Sequence, residues 1–192
     1  MPPLSPSEKA RLIEEMIRYI PHAGLQGIRL ESIDGEEVTL RMPYRDELVG
    51  NPETGAIHGG ALTVLLDHAL GTAGICCDRV GATMTPTLDL RIDHLGVAPA
   101  GLDIFATAKV YKVTTRVLFV EGFAYCESRH KPIARATGSW VLMPELNLNE
   151  LMAAAPTERG PTERGPTERG PTERGPTERG PTERGPEGAQ QQ

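Results

Sequence analysis

Patterns that mark several common protein classes are missing from this sequence. Lysine and arginine do not cluster and the net charge is −6, which argues against a nucleic-acid-binding protein. The three cysteines, Cys76, Cys77 and Cys126, form no CxxC pair and have no metal-ligand spacing, so we expect reduced thiols and no metal site. A GxSxG motif is also missing, which disfavours a hydrolase built on a Ser-His-Asp triad.

Signals for membrane association are missing as well. The N-terminal segment lacks the basic and then apolar pattern of a signal peptide. No uninterrupted apolar run approaches the roughly 18 residues that a membrane span needs. We therefore expect a cytoplasmic protein that has no membrane partner.

The C-terminal segment has a composition unsuited to folding. The five-residue unit PTERG occurs six times over residues 156–185. Each unit contains one glutamate, one arginine and no apolar residue, so it cannot bury enough surface to offset its ordering entropy. We predict one folded domain over residues 1–155 and a disordered repeat tail over residues 156–192.

The order of predicted elements indicates an α+β fold. A capping signature at Ser5 opens an amphipathic helix, and two strands follow over residues 25–33 and 36–42. A long apolar helix comes next, and then four strands over residues 83–143 whose short connections favour antiparallel pairing. We expect an antiparallel sheet of about six strands around the long helix, with the N-terminal helix packed outside. A membrane-surface position is the alternative for that first helix.

Residues 51–81 contain the most informative stretch. Turn-forming residues lead into His58-Gly59-Gly60 and then into the long apolar helix. Because Gly59 and Gly60 have no side chains, a ligand oxygen can approach their N–H groups at the positive end of the helix dipole. Two such donors fit an oxyanion hole. Asp67 places a carboxylate within the same apolar helix, where it is costly unless it has a use.

The spacing of these groups favours two subunits. Asp67 lies seven residues beyond Gly60, so both fall on one helix face at a separation of about 10 Å along the axis. One carbonyl group cannot easily touch both. An antiparallel helix from a second subunit would bring Asp67 of one chain opposite Gly60 of the other, so we expect a homodimer.

Over roughly residues 45–143 the chain resembles the hotdog-fold acyl-CoA thioesterases, in the branch named for phenylacetyl-CoA thioesterase. The segments that carry the resemblance are Asn51, Ile57-His58-Gly59-Gly60-Ala61, Leu65-Leu66-Asp67, Thr87-Leu88-Asp89-Leu90-Arg91-Ile92 and Pro99-Ala100-Gly101. The resemblance implies a hotdog fold and hydrolysis of an acyl-CoA thioester to the free acid and CoA. It also implies that CoA is part of the substrate, that no other cofactor is needed, and that homodimers or homotetramers form active sites between subunits.

The resemblance further implies a role for each matching residue. Asp67 would be the catalytic carboxylate, acting as general base on water or as nucleophile. The N–H of Gly60, with that of the glycine before it, would hold the thioester oxygen. Asn51 and His58 would position the thioester or the water, and Thr87 would support the carboxylate. A thioester carbonyl is electrophilic and its thiolate leaves well, so this chemistry needs no metal.

Simpler interpretations of the same residues stay open. Asp67 could pair with Arg91 or with a buried backbone group, and the glycines could serve only close packing. His58 could be a helix-entry residue, and His68, about 100° round the helix from Asp67, fits a structural or rim position. Two other functions also stay open: an enoyl-thioester hydratase or dehydratase that uses His58 with Asp67, and a non-catalytic acyl-CoA-binding module.

Overall fold

The computed structural model describes residues 3–154. The helices in this part of the chain are α1 Pro6–Tyr19, α2 Pro21–Leu25, α3 Gly59–Cys76 and α4 Leu148–Ala153. The strands are β1 Arg29–Asp34, β2 Glu37–Met42, β3 Val49–Asn51, β4 Ala56–Ile57, β5 Thr83–Met84, β6 Thr87–His94, β7 Ile104–Val113, β8 Val117–Tyr125, β9 Ala134–Val141 and β10 Met143–Asn147. The predicted tail and the boundary after residue 155 lie outside the described residues and stay predictions.

Six of the strands form one antiparallel sheet in the order β1-β2-β7-β8-β9-β6. Helix α3 packs against this sheet, chiefly on β2, β7 and β8. The short strands form two further pairs, β3 with β4 and β5 with β10. The predicted α+β hotdog arrangement, a six-stranded sheet with one long central helix and an N-terminal helix, is confirmed.

Helix α1 begins as its sequence predicts. Ser5 caps the helix by accepting from the N–H of Glu8, and the Glu8 side chain returns to the Ser5 N–H. The apolar stripe of α1 is buried against the rest of the fold, so the structure supports packing of this helix instead of a membrane-surface position. Lys9 also joins α1 to the end of α3, because its Nζ lies 2.7 Å from Oδ1 of Asp78.

Helix α3 forms the centre of the core. Its fully buried side chains include Leu65, Leu66 and Leu70. By length and composition alone α3 could cross a membrane, which corrects the expectation that no segment reaches that size. The sheet covers most of the helix, and a buried core helix passes the same test.

Two predicted boundaries differ from the structure. The sequence predicts a strand that starts at residue 25, but Leu25 is the last residue of the short helix α2. This helix begins at Pro21, whose fixed φ suits a helix start. Gly27, with φ of +70°, then turns the chain, and β1 begins at Arg29. The connection predicted over residues 43–50 contains a 3₁₀ turn, Asp46–Leu48, and the start of the β3–β4 hairpin.

Strand β6 lies at an edge of the large sheet and does not bury its apolar residues evenly. The pairing with β9 changes register between Thr87 and Asp89, which leaves Leu88 in a bulge. Leu88 is 58% exposed, whereas Leu90 and Ile92 are half-buried. The alternation predicted from the sequence therefore holds only in the second half of the strand.

Candidate active site

The loop before α3 is shaped by Asn51. Its Oδ1 accepts a hydrogen bond from the N–H of Glu53 at 2.9 Å, and its carbonyl oxygen accepts from the N–H of Gly55 at 2.9 Å. Gly50 lies so close to the helix entry that a Cβ there would be 2.7 Å from Cα of His58. Asn51 is thus next to the start of α3, and its observed contacts build the turn.

His58 is the residue that caps α3. Its Nδ1 accepts a hydrogen bond from the N–H of Gly60 at 2.9 Å. The Gly60 N–H, which was predicted to hold the thioester oxygen, is therefore occupied. The N–H of Gly59 has no hydrogen-bond partner among residues 3–154, and Gly59 is exposed at the helix N-terminus. Gly59 thus offers the free donor at the positive end of the dipole.

Asp67 is held by Thr87 on the neighbouring edge strand. The Thr87 hydroxyl donates to Oδ1 of Asp67 at 3.0 Å, and Asp67 remains partly open to solvent. Arg91 pairs instead with Asp93, with Nη2 and Oδ1 at 2.9 Å. The alternative in which Arg91 neutralises Asp67 is not observed. A supporting role for Thr87 needs this contact, and the role itself stays a prediction.

Asp67 and Thr87 stand at one side of a cavity of about 170 Å³. The cavity lies between α1, α3 and the strands around Trp140, and its walls are mostly apolar. The lining residues are Met16, Ile20, Asp67, His68, Gly71, Ile75, Met84, Thr85, Pro86, Thr87, Trp140 and Leu148. A carboxylate beside an apolar cavity is an arrangement suited to a reactive group with an apolar tail.

His68, for which the sequence favours a structural or rim position, lines the same cavity. Its Nδ1 lies 3.0 Å from the carbonyl oxygen of Val64, which can only accept, so Nδ1 carries the proton. Nε2 is buried and no residue in the described part of the chain bonds to it. Burial lowers the pKa of His68; the Val64 hydrogen bond and the Asp67 charge oppose this shift, and His22 adds to it.

We expect this lowered pKa to make stability depend on pH. Below the ordinary histidine pKa of about 6.5 the unfolded chain binds a proton at His68 while the folded chain still does not. The free energy of unfolding should therefore decrease as pH falls through about 6.5, by at most about 1.4 kcal/mol per pH unit from this group. Urea unfolding of wild type and His68→Gln should show a shallower decrease in the variant. If the free energy of unfolding depends on pH equally in both proteins, the lowered pKa of His68 is contradicted.

The structure brings together some predicted residues and adds others. Asp67 and Thr87 are in direct contact, and His58 contacts Gly60. The hydratase interpretation needs His58 and Asp67 to act together. Within residues 3–154 no hydrogen bond or ion pair joins these two side chains.

Two residues that sequence reasoning did not select also lie at the site. His94 is close enough to the helix entry that a Cβ on Gly59 would be 3.5 Å from its Cε1. Trp140 lines the cavity beside Asp67. The one available signal was that Trp140 is the single tryptophan of the chain.

Comparison with known proteins identifies the family of this chain. Residues 54–133, which include His58, Asp67 and Thr87, match the family described as the thioesterase superfamily. The medium/long-chain acyl-CoA thioesterase YigI of Escherichia coli is 30% identical over 110 residues, a match that covers 48% of this chain and 68% of YigI. The chain belongs to the thioesterase superfamily. It is a thioester hydrolase, and the resemblance to the hotdog-fold thioesterases is confirmed.

Solved structures show the same fold for this thioesterase. A Pseudomonas aeruginosa protein of known crystal structure is 36% identical, with a TM-score of 0.65, and the match covers 70% of this chain and 99% of that one. The E. coli PaaI protein from the phenylacetic acid degradation operon is 23% identical, with a TM-score of 0.63, and the match covers 72% and 96%. At that identity the likeness to PaaI supports the hotdog fold alone.

Proposed function

We propose that this thioesterase hydrolyses acyl-CoA thioesters to a free acid and CoA at the site formed by Asp67 and the start of α3. The observation that carries the proposal is the Asp67 carboxylate, held by Thr87 beside an apolar cavity on the helix whose N-terminus offers a free N–H. The name of YigI as a medium/long-chain acyl-CoA thioesterase supports CoA as the thiol.

Asp67 supplies the base or the nucleophile in this proposal. As a base, it takes a proton from water while the water oxygen attacks the thioester carbon. The C–S bond then breaks, the CoA thiolate leaves, and the proton passes to the thiolate. As a nucleophile, it attacks the carbon itself, the C–S bond breaks and the CoA thiolate leaves. Water then hydrolyses the resulting anhydride, which restores the Asp67 carboxylate, and the proton released passes to the thiolate. Neither route needs a metal or a cofactor beyond the CoA of the substrate.

The N–H of Gly59 is the donor we propose for the developing oxyanion, since that of Gly60 is bonded to His58. The Gly60 N–H can join it only if the imidazole of His58 turns away or shares the donor. Asn51 and His58 stand at the same helix entry, which supports the proposal that they line the approach to this donor.

A second copy of the chain completes the proposed site. Gly59 and Asp67 are eight residues apart on one helix, about 12 Å along its axis, so one carbonyl cannot touch both. Edge strand β6 carries Thr87 and leaves Leu88 exposed, and Leu95 and Val97 just beyond it are also exposed. Apolar side chains on an open sheet edge are typical of a surface that pairs with another chain. We therefore propose a homodimer, alone or within a homotetramer.

Free-thiol release from a panel of aromatic and short- to long-chain acyl-CoAs tests the proposed activity. Wild type should release CoA from at least one member, and Asp67→Ala should release almost none. Asp34→Ala, which changes an exposed aspartate at the end of β1, is the matched control and should behave as wild type. No release from any member would overturn the proposal. Enoyl-CoA hydration or tight acyl-CoA binding would then identify the function.

A further inference from the structure

The chain from Arg18 to Arg29, where α1 ends and α2 follows, presents exposed apolar side chains with a positive charge at each end. Leu25 is 72% exposed, the largest exposed fraction among the large apolar side chains of residues 3–154, and Tyr19 is 44% exposed. No acidic residue occurs between the two arginines, although the whole chain has a net charge of −6. We call the exposed side chains of this stretch the α1–α2 corner; they are Arg18, Tyr19, Pro21, His22, Leu25 and Arg29.

The charges of the two arginines are not neutralised by the fold. Neither Arg18 nor Arg29 forms an ion pair in the described part of the chain. The guanidinium of Arg18 donates instead to a backbone carbonyl oxygen one turn earlier in α1. The acids near Arg29, which are Glu31 and Asp103, both pair with Arg41. Both guanidinium groups are therefore available to a negatively charged partner.

The α1–α2 corner lies beside the cavity of the proposed site. Ile20, within the same stretch of chain, lines that cavity together with Met16 of α1 and Asp67 of α3. Helix α2 also contacts α3. The end of α1 therefore forms a wall of the cavity on one side and carries the exposed corner on the other.

We infer that the α1–α2 corner docks on the surface of an anionic lipid bilayer. Arginine binds negatively charged headgroups, tyrosine lies at the level of the headgroups, and an exposed leucine enters the acyl boundary. Two copies of this chain joined corner to corner would bring like charges together, so the bilayer is the complementary partner. Long acyl chains partition into bilayers, and docking would place the cavity next to them. The inference goes beyond the proposed function, because docking does not require turnover.

Docking of this kind is compatible with the packing of α1. The apolar stripe of α1 stays buried in the fold, and the corner uses only side chains that are already exposed. The expectation of no membrane partner rested on the lack of a signal peptide and of an apolar run long enough to span a bilayer. A protein that docks on the bilayer surface needs neither feature, so the inference replaces that expectation.

Co-sedimentation of the full chain with two kinds of vesicle tests the inference. One kind is phosphatidylcholine alone, and the other is an equimolar mixture of phosphatidylcholine and phosphatidylserine. We expect the chain to bind the mixed vesicles at low salt and to bind the neutral ones much more weakly. Added salt should weaken binding to the mixed vesicles, because it screens the arginine charges.

Variants of the corner separate its charges from its apolar contact. Arg18→Gln combined with Arg29→Gln should weaken partition to the mixed vesicles by about 25-fold, since each arginine near an anionic surface contributes about fivefold. Leu25→Ser should weaken it by at least about tenfold, the effect of losing one inserted leucine. The matched control is Lys112→Gln combined with Arg116→Gln, which removes the same charge from exposed positions at the β7–β8 hairpin. The control should bind as wild type.

The hairpin of the control is far from the corner. The carbonyl oxygen of Leu25 accepts from Nη1 of Arg45 at 2.7 Å, which holds the corner near the end of β2. Met42 at that end of β2 pairs with Ile104, the first residue of β7. The hairpin follows the other end of β7, which has 10 residues and is thus about 30 Å long. A change in charge there tests whether any loss of positive charge weakens binding.

Measurements without vesicles separate docking from folding and from turnover. The corner side chains are exposed, so each variant should keep the wild-type Tm and the wild-type kcat/KM for a short-chain, water-soluble acyl-CoA. Vesicle binding by a chain that hydrolyses no thioester would support the inference and contradict the proposed function alone.

Four results would overturn the inference. They are no binding to the mixed vesicles, equal binding to both kinds of vesicle, and binding that both corner variants retain. The fourth is a smaller oligomer in Leu25→Ser than in wild type, measured by size-exclusion chromatography with light scattering. That result would make the corner a contact between copies of the chain.

Discussion

Asp67→Asn should lower kcat/KM by between about 10² and 10⁴, the usual contribution of a positioned acid or base. The asparagine side chain has the same size, and its amide oxygen can still accept the hydrogen bond from the Thr87 hydroxyl. What it loses is the negative charge, and with it the ability to take a proton or to attack the thioester carbon. Steady-state thiol release with the preferred acyl-CoA measures the effect.

The stability of Asp67→Asn shows whether the loss is chemical. Tm should stay within a few degrees of wild type, because a neutral amide costs less than a carboxylate on a mostly apolar helix and keeps the bond to Thr87. Thr87→Val, which removes the supporting hydroxyl while keeping the shape, should cause a smaller loss, and Thr87→Ser should restore most of it. Near-wild-type turnover by a folded Asp67→Asn protein would remove Asp67 from the mechanism.

Gly59→Pro should lower kcat/KM by about 10² to 10³, the typical cost of losing one oxyanion donor. Proline removes the N–H that is free at the start of α3, yet Gly59 is the first residue of that helix, where proline is well tolerated. The preceding residue also fits, since His58 has φ of −65° and ψ of 136°, in the region that proline favours for its neighbour. The variant therefore deletes one donor with little change elsewhere.

Gly59→Ala is the control for that substitution. Its Cβ would lie 3.5 Å from Cε1 of His94, which is ordinary contact, and the N–H is retained. The alanine variant should therefore keep most of its activity. If proline and alanine behave alike, the Gly59 N–H has no part in the reaction, and the donor would have to be the Gly60 N–H after release from His58.

Mixing the two inactive variants tests whether the site spans two subunits. In a dimer of one Asp67→Asn chain and one Gly59→Pro chain, one site keeps both groups if they come from different chains. Random reassociation should then recover about one quarter of wild-type activity, because about half of the dimers are mixed and each has one intact site. No recovery would place both groups in one subunit.

Local sequence was sufficient for the main helices and strands and for the choice of the candidate site residues. The capping box at Ser5 involves neighbours in the chain, so it predicted the start of α1 correctly. Asp67 was recognisable because a carboxylate stands out in an apolar helix, and the glycines because they open that helix. The order and spacing of strands also predicted an antiparallel α+β sheet, since hairpin connections are local.

Only the tertiary structure decided how those residues are used. The choice between Gly59 and Gly60 as free donor depends on the position of the His58 ring, and the bond from Thr87 to Asp67 depends on where β6 meets α3. The cavity formed by His68 and Trp140 joins a helix to a strand far along the chain. Such contacts depend on the register of the sheet, including the bulge in β6, and no helical or strand periodicity encodes that register.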